Sequence, residues 1–202
     1  MDILLIPDLW LHGSSWNAVI PALEGAGNRV RALTLPGIES KDADRSSITL
    51  ADHVDAVVSA IENADGPVLL VGHSAGSGIG HAAVDARPDW ADVGEEANVA
   101  DFDEELLARF YDDAIPAPEQ VLTTPLRLRD ERRYVVPVTA VCPEYTAAEL
   151  RGWVAAGEEP VSELARIRDV EYVDLPGGHW PQLTQPDKIA RVILDAADKT
   201  RG

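Results

Sequence analysis

The sequence predicts a doubly wound α/β fold, in which a mostly parallel sheet is flanked by helices. Short apolar runs typical of buried strands alternate with segments of helical periodicity, and glycine or proline interrupts several junctions. The chain has 202 residues, enough to bury one sizeable core. In sheets of this kind ligands bind beyond the carboxyl ends of the strands. We therefore expect the functional residues in the loops that follow the strands.

Strands are predicted where apolar residues run together between turn signals. Their predicted ranges are 3–6, 29–35, 68–71, 135–142 and 170–175. Helices are predicted where apolar side chains recur at helical spacing, as Leu50, Val54, Val57 and Ile61 do. Their predicted ranges are 16–24, 49–62, 75–87, 103–113, 146–156 and 186–197. The last range has a proline near its start, where helices tolerate one.

Composition narrows the class of protein. Hydrophobic residues make up 46% of the chain, which favours a globular fold, and no apolar run approaches the length of a membrane span. The net charge of −18 argues against nucleic acid and anionic membranes as partners. Cys142 is the single cysteine, and the N-terminus enters a strand without a basic leader. A cytoplasmic location is therefore expected.

The pattern Gly72-His73-Ser74-Ala75-Gly76 is the most informative part of the sequence. It follows a predicted strand and precedes a predicted helix, the context that a serine nucleophile at a sharp turn requires. Ser74 is the candidate nucleophile. The Ala75 amide, at the helix N-terminus, is a candidate donor to an oxyanion. The alternative is a Gly/Ser-rich turn with no chemical role.

A serine nucleophile needs a base, and His179 is the candidate because it lies in a Gly-Gly-His-Trp loop after the last predicted strand. A solvent-facing loop histidine is the alternative. His73 adjoins the nucleophile and is expected to pack locally. His53 and His81 fall within helices and are expected to be structural or exposed. His12 lies in the first loop, where either a substrate contact or no role is open.

The base needs an orienting acid, which should lie between Ser74 and His179 and follow a strand. Glu144 meets both conditions, although a surface glutamate at a strand end would look the same. Other acids in the same order belong to an acidic middle segment; they are Asp101, Asp103, Asp112 and Asp113. Thr146 lies near the same strand end but has no carboxylate.

The loop after the first strand should supply a second oxyanion donor, and the Leu9 amide is the candidate. Trp10 would then wall the acyl pocket, unless it packs in the core. We place Trp10, His12, His73 and Trp180 around the substrate pocket.

Four segments together resemble the α/β-hydrolases, and the resemblance covers most of the chain. They are the first loop (5–16), a Leu-Pro-Gly turn (33–37), the nucleophile turn (71–76) and the histidine loop (178–180). In detail the chain is similar to small bacterial esterase-type members related to hydroxynitrile lyases and methyl-ester esterases. The resemblance implies a Ser-His-acid hydrolase that needs neither a metal nor an organic cofactor.

The sequence departs from this family at three places. Residues 87–96 run into an acidic loop where a strand is expected, so either this segment is truly shortened or part of it is missing from the sequence. The predicted cap, residues 88–130 of a single domain spanning 1–202, is accordingly small and shortened. Pro7-Asp8 replaces the usual His-Gly. Where many members place an aspartate after the strand at 135–142, this chain has Thr146, with Glu144 two positions earlier.

The expected activity is hydrolysis of a small carboxylic ester through an acyl-enzyme. Two alternatives stay open: a non-catalytic ligand-binding protein with the same fold, and a hydroxynitrile-lyase-like enzyme. No lysine lies near the site motifs to assist a leaving cyanide, which disfavours the lyase. The substrate is undetermined. A shortened cap could expose a sheet edge to a second subunit, so a homodimer also stays open.

Overall fold

The computed structural model describes residues 1–84, 99, 101–124, 130–159 and 161–201. The strands are β1 (Asp2–Ile6), β2 (Arg29–Ala32), β3 (Val68–Gly72), β4 (Val138–Cys142) and β5 (Val170–Asp174). The helices are α1 (Ile20–Gly25), α2 (Leu50–Glu62), α3 (Ala75–Val84), α4 (Glu104–Asp113), α5 (Glu119–Thr123), α6 (Ala147–Ala156), α7 (Pro181–Thr184) and α8 (Pro186–Arg201). Short 3₁₀ helices span Gly13–Trp16, Glu131–Val135 and Val161–Arg166.

The strands pair in parallel, as predicted. β1 lies between β2 and β3, and Ile3 is in register with Val30 on one side and Leu69 on the other. β4 pairs with β5 in parallel, with Val138 opposite Val170. Within the described ranges, the backbone pairing forms one group of three strands and one of two. Parallel pairing brings the carboxyl ends of neighbouring strands to one edge, where the predicted site residues follow them.

Helices cover both faces of the sheet, so β1 is buried on both sides. Leu4 and Ile6 belong to a core cluster with residues of α2, including Leu50 and Val57. The alternate residues Ile3 and Leu5 belong to a second cluster, to which α8 contributes Ile189, Ala190 and Ile193. This two-sided burial confirms the predicted doubly wound architecture.

Three predicted boundaries were wrong, and proline explains two of them. The helix predicted over 16–24 is instead a 3₁₀ turn followed by α1, because Pro21 has no amide hydrogen and fits the first helical turn. The strand predicted over 135–142 begins at Val138, since Pro137 cannot donate to a ladder and residues 131–135 form a 3₁₀ helix. The strand predicted over 29–35 ends at Ala32.

The middle of the chain carries two helices in its described part. The side chain of Asp103 caps α4 by accepting a hydrogen bond from the Leu106 amide, and α5 follows. The predicted acidic loop and the position of the expected extra strand fall largely on residues 85–98, which lie outside the described residues. Among the helices that are described, none is long and apolar enough to cross a membrane.

Candidate active site

The turn between β3 and α3 holds Ser74 in a strained conformation. Ser74 has φ of 51°, the one non-glycine residue with positive φ in the described part of the chain. Gly72 and Gly76 make the turn possible: a Cβ on Gly72 would come within 2.4 Å of the Ser77 Cα, and one on Gly76 within 2.3 Å of the Pro7 carbonyl oxygen. The tight turn therefore requires these glycines, and it places Ser74 at the carboxyl end of β3.

The structure brings Glu144 and His179 together. Glu144 follows β4 and His179 follows β5, and these strands are parallel neighbours, so both side chains lie at the same edge. The Nδ1 atom of His179 lies 2.7 Å from Oε2 of Glu144. The two side chains are 19% and 28% exposed, so water screens the contact only partly. With Nδ1 engaged by the carboxylate, Nε2 is left for another partner.

His73 lies behind His179. Its Nε2 lies 2.7 Å from the His179 carbonyl oxygen, to which it donates, and the two rings pack edge to face with centroids 5.0 Å apart. Burial, followed by the nearby charge of His179, lowers the pKa of His73 to about 3. His73 is therefore neutral at physiological pH. It positions the backbone of the histidine loop.

The predicted nucleophile Ser74 and the predicted base His179 both lie near Asp8. Among the described residues, no hydrogen bond joins Ser74 to His179. Such bonds are often long without substrate and tighten when it binds. The Ser74 hydroxyl instead interacts with the carboxyl group of Asp8.

The two amides predicted to bind an oxyanion converge on one atom. The Leu9 amide donates to Oδ1 of Asp8 at 2.8 Å, and the Ala75 amide donates to the same oxygen at 3.2 Å. Asp8 is only 3% exposed. Burial raises the pKa of the Asp8 carboxyl; these hydrogen bonds and the charge of His179 oppose that rise.

Asp8 is the site residue that sequence reasoning missed. Its signal was the replacement of a small residue by an acidic one beside Leu9, in the loop expected to supply an oxyanion donor. The sequence showed that Asp8 departs from the family pattern, but not that its side chain points at the Leu9 and Ala75 amides.

The predicted pocket residues lie in different surroundings. Trp10 is 40% exposed, and its carbonyl accepts the Ile115 amide. His12 hydrogen-bonds to Ser14 and Thr34, not to the predicted catalytic residues. Trp180 is 2% exposed and packs on His73, His179 and Phe110, with ring centroids about 5 Å apart.

Two of the alternative acids, and Thr146, have partners other than the His179 ring. Asp101 lies close to the histidine loop, but its Oδ2 accepts the Gly178 amide at 2.8 Å rather than the His179 ring. Asp103 caps α4, and Thr146 caps α6 in a capping box with Glu149. Within the described residues, no cluster of three or more His, Cys, Asp or Glu side chains could hold a metal ion.

A parallel α/β sheet with a strained serine after its third strand, and a histidine loop after its last, defines the general class. The sequence profile described as the alpha/beta hydrolase family matches residues 3–192. The chain belongs to this family.

Comparisons with individual proteins agree with this assignment. The chain is 24% identical to a pyrethroid hydrolase of Sphingobium wenxiniae, covering 98% of this chain and 88% of the relative. That alignment spans 253 positions against 202 residues here, so at least 51 positions lack a counterpart in this chain.

Solved structures share the fold. A pyrethroid hydrolase from Sphingobium faniae is similar with a TM-score of 0.68, 20% identity and coverage of 98% of this chain and 97% of that one. An extracellular alpha/beta-hydrolase from a Paenibacillus species gives a TM-score of 0.75 at 18% identity, covering 97% and 98%. An Arabidopsis methylesterase gives 0.73 at 13% identity, covering 98% and 99%.

Proposed function

We propose that the protein is a serine hydrolase that cleaves a small carboxylic ester, with Ser74 as nucleophile, His179 as base and Glu144 as the acid that orients His179. The observation that carries the proposal is the 2.7 Å hydrogen bond between His179 and Glu144, two residues from separate strand ends. It fixes the imidazole with Nδ1–H toward the carboxylate, so that Nε2 can accept a proton.

The reaction proceeds in two stages. Ser74 Oγ attacks the ester carbonyl carbon and its proton passes to Nε2 of His179, giving a tetrahedral oxyanion. That intermediate collapses: the bond to the alcohol breaks, and the alcohol leaves with the proton. Water then attacks the acyl-serine with His179 again as base, releasing the carboxylic acid and Ser74. The Leu9 and Ala75 amides bind the oxyanion in both stages.

The relatives support an ester as the substrate, because their names describe a pyrethroid hydrolase and a methylesterase. Phe110, half-buried where it packs on Trp180 beside the histidine loop, favours an apolar acyl or alcohol group. A cap formed by the segment 88–130 would complete the pocket. From the sequence we also expect the enzyme to be cytoplasmic and to need no cofactor.

Labelling with a fluorophosphonate tests the proposal, together with turnover of p-nitrophenyl acetate and butyrate. We expect the wild-type protein to be labelled and to hydrolyse at least one ester, and Ser74→Ala to do neither while remaining folded. Ser77→Ala is a matched control, because Ser77 lies one helical turn beyond the nucleophile and bonds only locally, to the Gly72 carbonyl. Turnover by Ser74→Ala at the wild-type rate would contradict the assignment.

One observation favours a second candidate, a non-catalytic ligand-binding protein. The amides that should bind the oxyanion both donate to Asp8. Under this candidate, a folded wild-type protein resists labelling and still binds esters. A hydroxynitrile-lyase-like reaction is tested by assaying cyanide release from a cyanohydrin.

A further inference from the structure

The oxyanion site of this protein already contains a carboxyl oxygen from its own chain. Oδ1 of Asp8 accepts both the Leu9 amide at 2.8 Å and the Ala75 amide at 3.2 Å. Under the proposed mechanism these are the donors to the carbonyl oxygen of the substrate. A carboxylate oxygen bound by two converging amides resembles the oxyanion that the site would stabilise during catalysis.

The position of Asp8 makes this contact a strong one. The side chain is 3% exposed, so water competes little for its hydrogen bonds. Polar and titratable groups face it from two directions. The nucleophile turn presents Ser74 and the Ala75 amide, and the histidine loop presents His179, itself backed by Glu144 and His73.

A carboxylate at this point competes with substrate in two ways. It occupies the two donors, which can serve only one strong acceptor at their point of convergence. In its ionised form the carboxylate also repels the charge that develops on the substrate oxygen. The Ser74 hydroxyl, moreover, interacts with Asp8 and has no hydrogen bond to His179 among the described residues.

We propose that Asp8 is an internal competitor of the substrate's carbonyl oxygen: its carboxylate must leave the Leu9 and Ala75 amides before Ser74 can react. Asp8 thereby limits the rate of acylation and selects for substrates that bind tightly enough to displace it. The inference rests on the proposed function.

The test compares the wild-type protein with Asp8→Gly and Asp8→Asn. Asp8→Gly removes the competing group. Asp8→Asn keeps an oxygen that can accept both amides but removes the charge. Asp55→Asn, on the exposed surface of α2, controls for the loss of one negative charge. The measurements are the second-order rate of fluorophosphonate labelling at Ser74 and kcat/KM for p-nitrophenyl acetate. Circular dichroism and thermal unfolding establish that each variant is folded.

We expect Asp8→Gly to react about tenfold faster or more, since one oxyanion donor alone contributes about 10²-fold or more. Asp8→Asn should lie between it and the wild type, and Asp55→Asn should match the wild type. A binding readout complements the rates: formate should enter the vacated site of Asp8→Gly and slow its labelling, with no effect on the wild type. If Asp8→Gly does not fold, Asp8→Ala replaces it.

The outcomes separate this inference from the proposed function. A wild-type protein that is labelled and active, with an Asp8→Gly variant no faster than it, overturns the inference and leaves the proposed function standing. A variant that is slower than the wild type also overturns it, because Asp8 would then assist the reaction. Absence of labelling and turnover in both folded proteins contradicts the proposed function and the inference together.

Discussion

Glu144 and His179 show how a single contact determines what a side chain can do. An imidazole has two nitrogens, and the nitrogen that carries the proton is set by the partner of the other. The carboxylate of Glu144 accepts a hydrogen bond from Nδ1 of His179. The protonated nitrogen therefore points to Glu144, and under the proposed mechanism the basic nitrogen Nε2 accepts the proton of Ser74.

The proposed role of Glu144 predicts a loss of kcat in Glu144→Gln. The amide keeps the size of the side chain but loses the charge that stabilises the imidazolium, and its NH₂ group can favour the wrong tautomer. We expect kcat for p-nitrophenyl acetate to fall by about 10²–10⁴-fold with a small change in KM. Glu158→Gln, an exposed substitution beyond α6, should leave both constants unchanged. Unchanged turnover in Glu144→Gln would show that another group orients His179.

At the residue scale, the sequence predicted which residues lie close together but not where each side chain points. Glu144 and His179 could be paired from their positions after strands, because parallel strands end at one edge. The Asp8 side chain could not be placed, since its rotamer depends in part on the Ala75 amide, which lies 67 residues further along the chain. Trp180 was expected at the pocket, yet its ring is almost fully buried by neighbours that periodicity does not reveal.

At the scale of elements, the junction of β3 and α3 depends on close backbone approach. Gly76 lies in the first turn of α3, directly against the loop after β1, and a Cβ there would come within 2.3 Å of the Pro7 carbonyl oxygen. A backbone atom cannot move aside as a flexible side chain can. The same approach brings the Ala75 amide toward Leu9.

Gly76→Ala is therefore expected to lower the free energy of unfolding by about 2 kcal/mol or more. Gly152→Ala is the matched control, because Gly152 also lies in a helix but its Cβ would meet no atom within 4 Å. That control should be neutral or stabilising by up to about 1 kcal/mol, the difference in helix propensity. Urea unfolding measures both. Equal stability of the two variants would mean that the junction adjusts without strain.

Element types were easier to predict than element ends. Strong periodicity located α2, and the Thr49–Asp52 capping box defines where it starts. The predicted end of β2 and the predicted starts of β4 and α1 were wrong, because they depend on strand pairing, on Pro137 and on Pro21 respectively. Pairing is a tertiary property, so a run of apolar residues does not reveal where a ladder stops.

At the scale of the whole molecule, the order β2-β1-β3 and the pair β4–β5 could not be predicted from periodicity, which gives strands but not their neighbours.

The protonation of His73 couples the candidate site to the stability of the whole molecule. His73 is held neutral in the fold, with its pKa lowered to about 3 mainly by burial, against a value of 6.5 for the free side chain. Between about pH 3 and pH 6.5, the unfolded chain therefore binds a proton at His73 that the folded chain does not bind.

The sign of this coupling predicts acid destabilisation. The contribution of neutral His73 is fully present above about pH 6.5 and is lost progressively as the pH falls toward about 3. It amounts to several kcal/mol, on the order of 1.4 kcal/mol for each unit of pKa difference. The measurement is urea unfolding of wild type and His73→Phe between about pH 7 and pH 4. Phenylalanine keeps an aromatic ring without a titrating nitrogen.

The difference between the two proteins isolates His73, because both carry the same 35 acidic residues. Both also carry His53, whose pKa burial likewise lowers, so its contribution cancels. Loss of the hydrogen bond to the His179 carbonyl oxygen should make His73→Phe less stable at neutral pH. As the pH falls, the free energy of unfolding should therefore decline more steeply in the wild type than in His73→Phe. If the free energy of unfolding instead fell in parallel in the two proteins, His73 would be protonated within the folded state. The histidine loop would then have moved to let water reach its side chain.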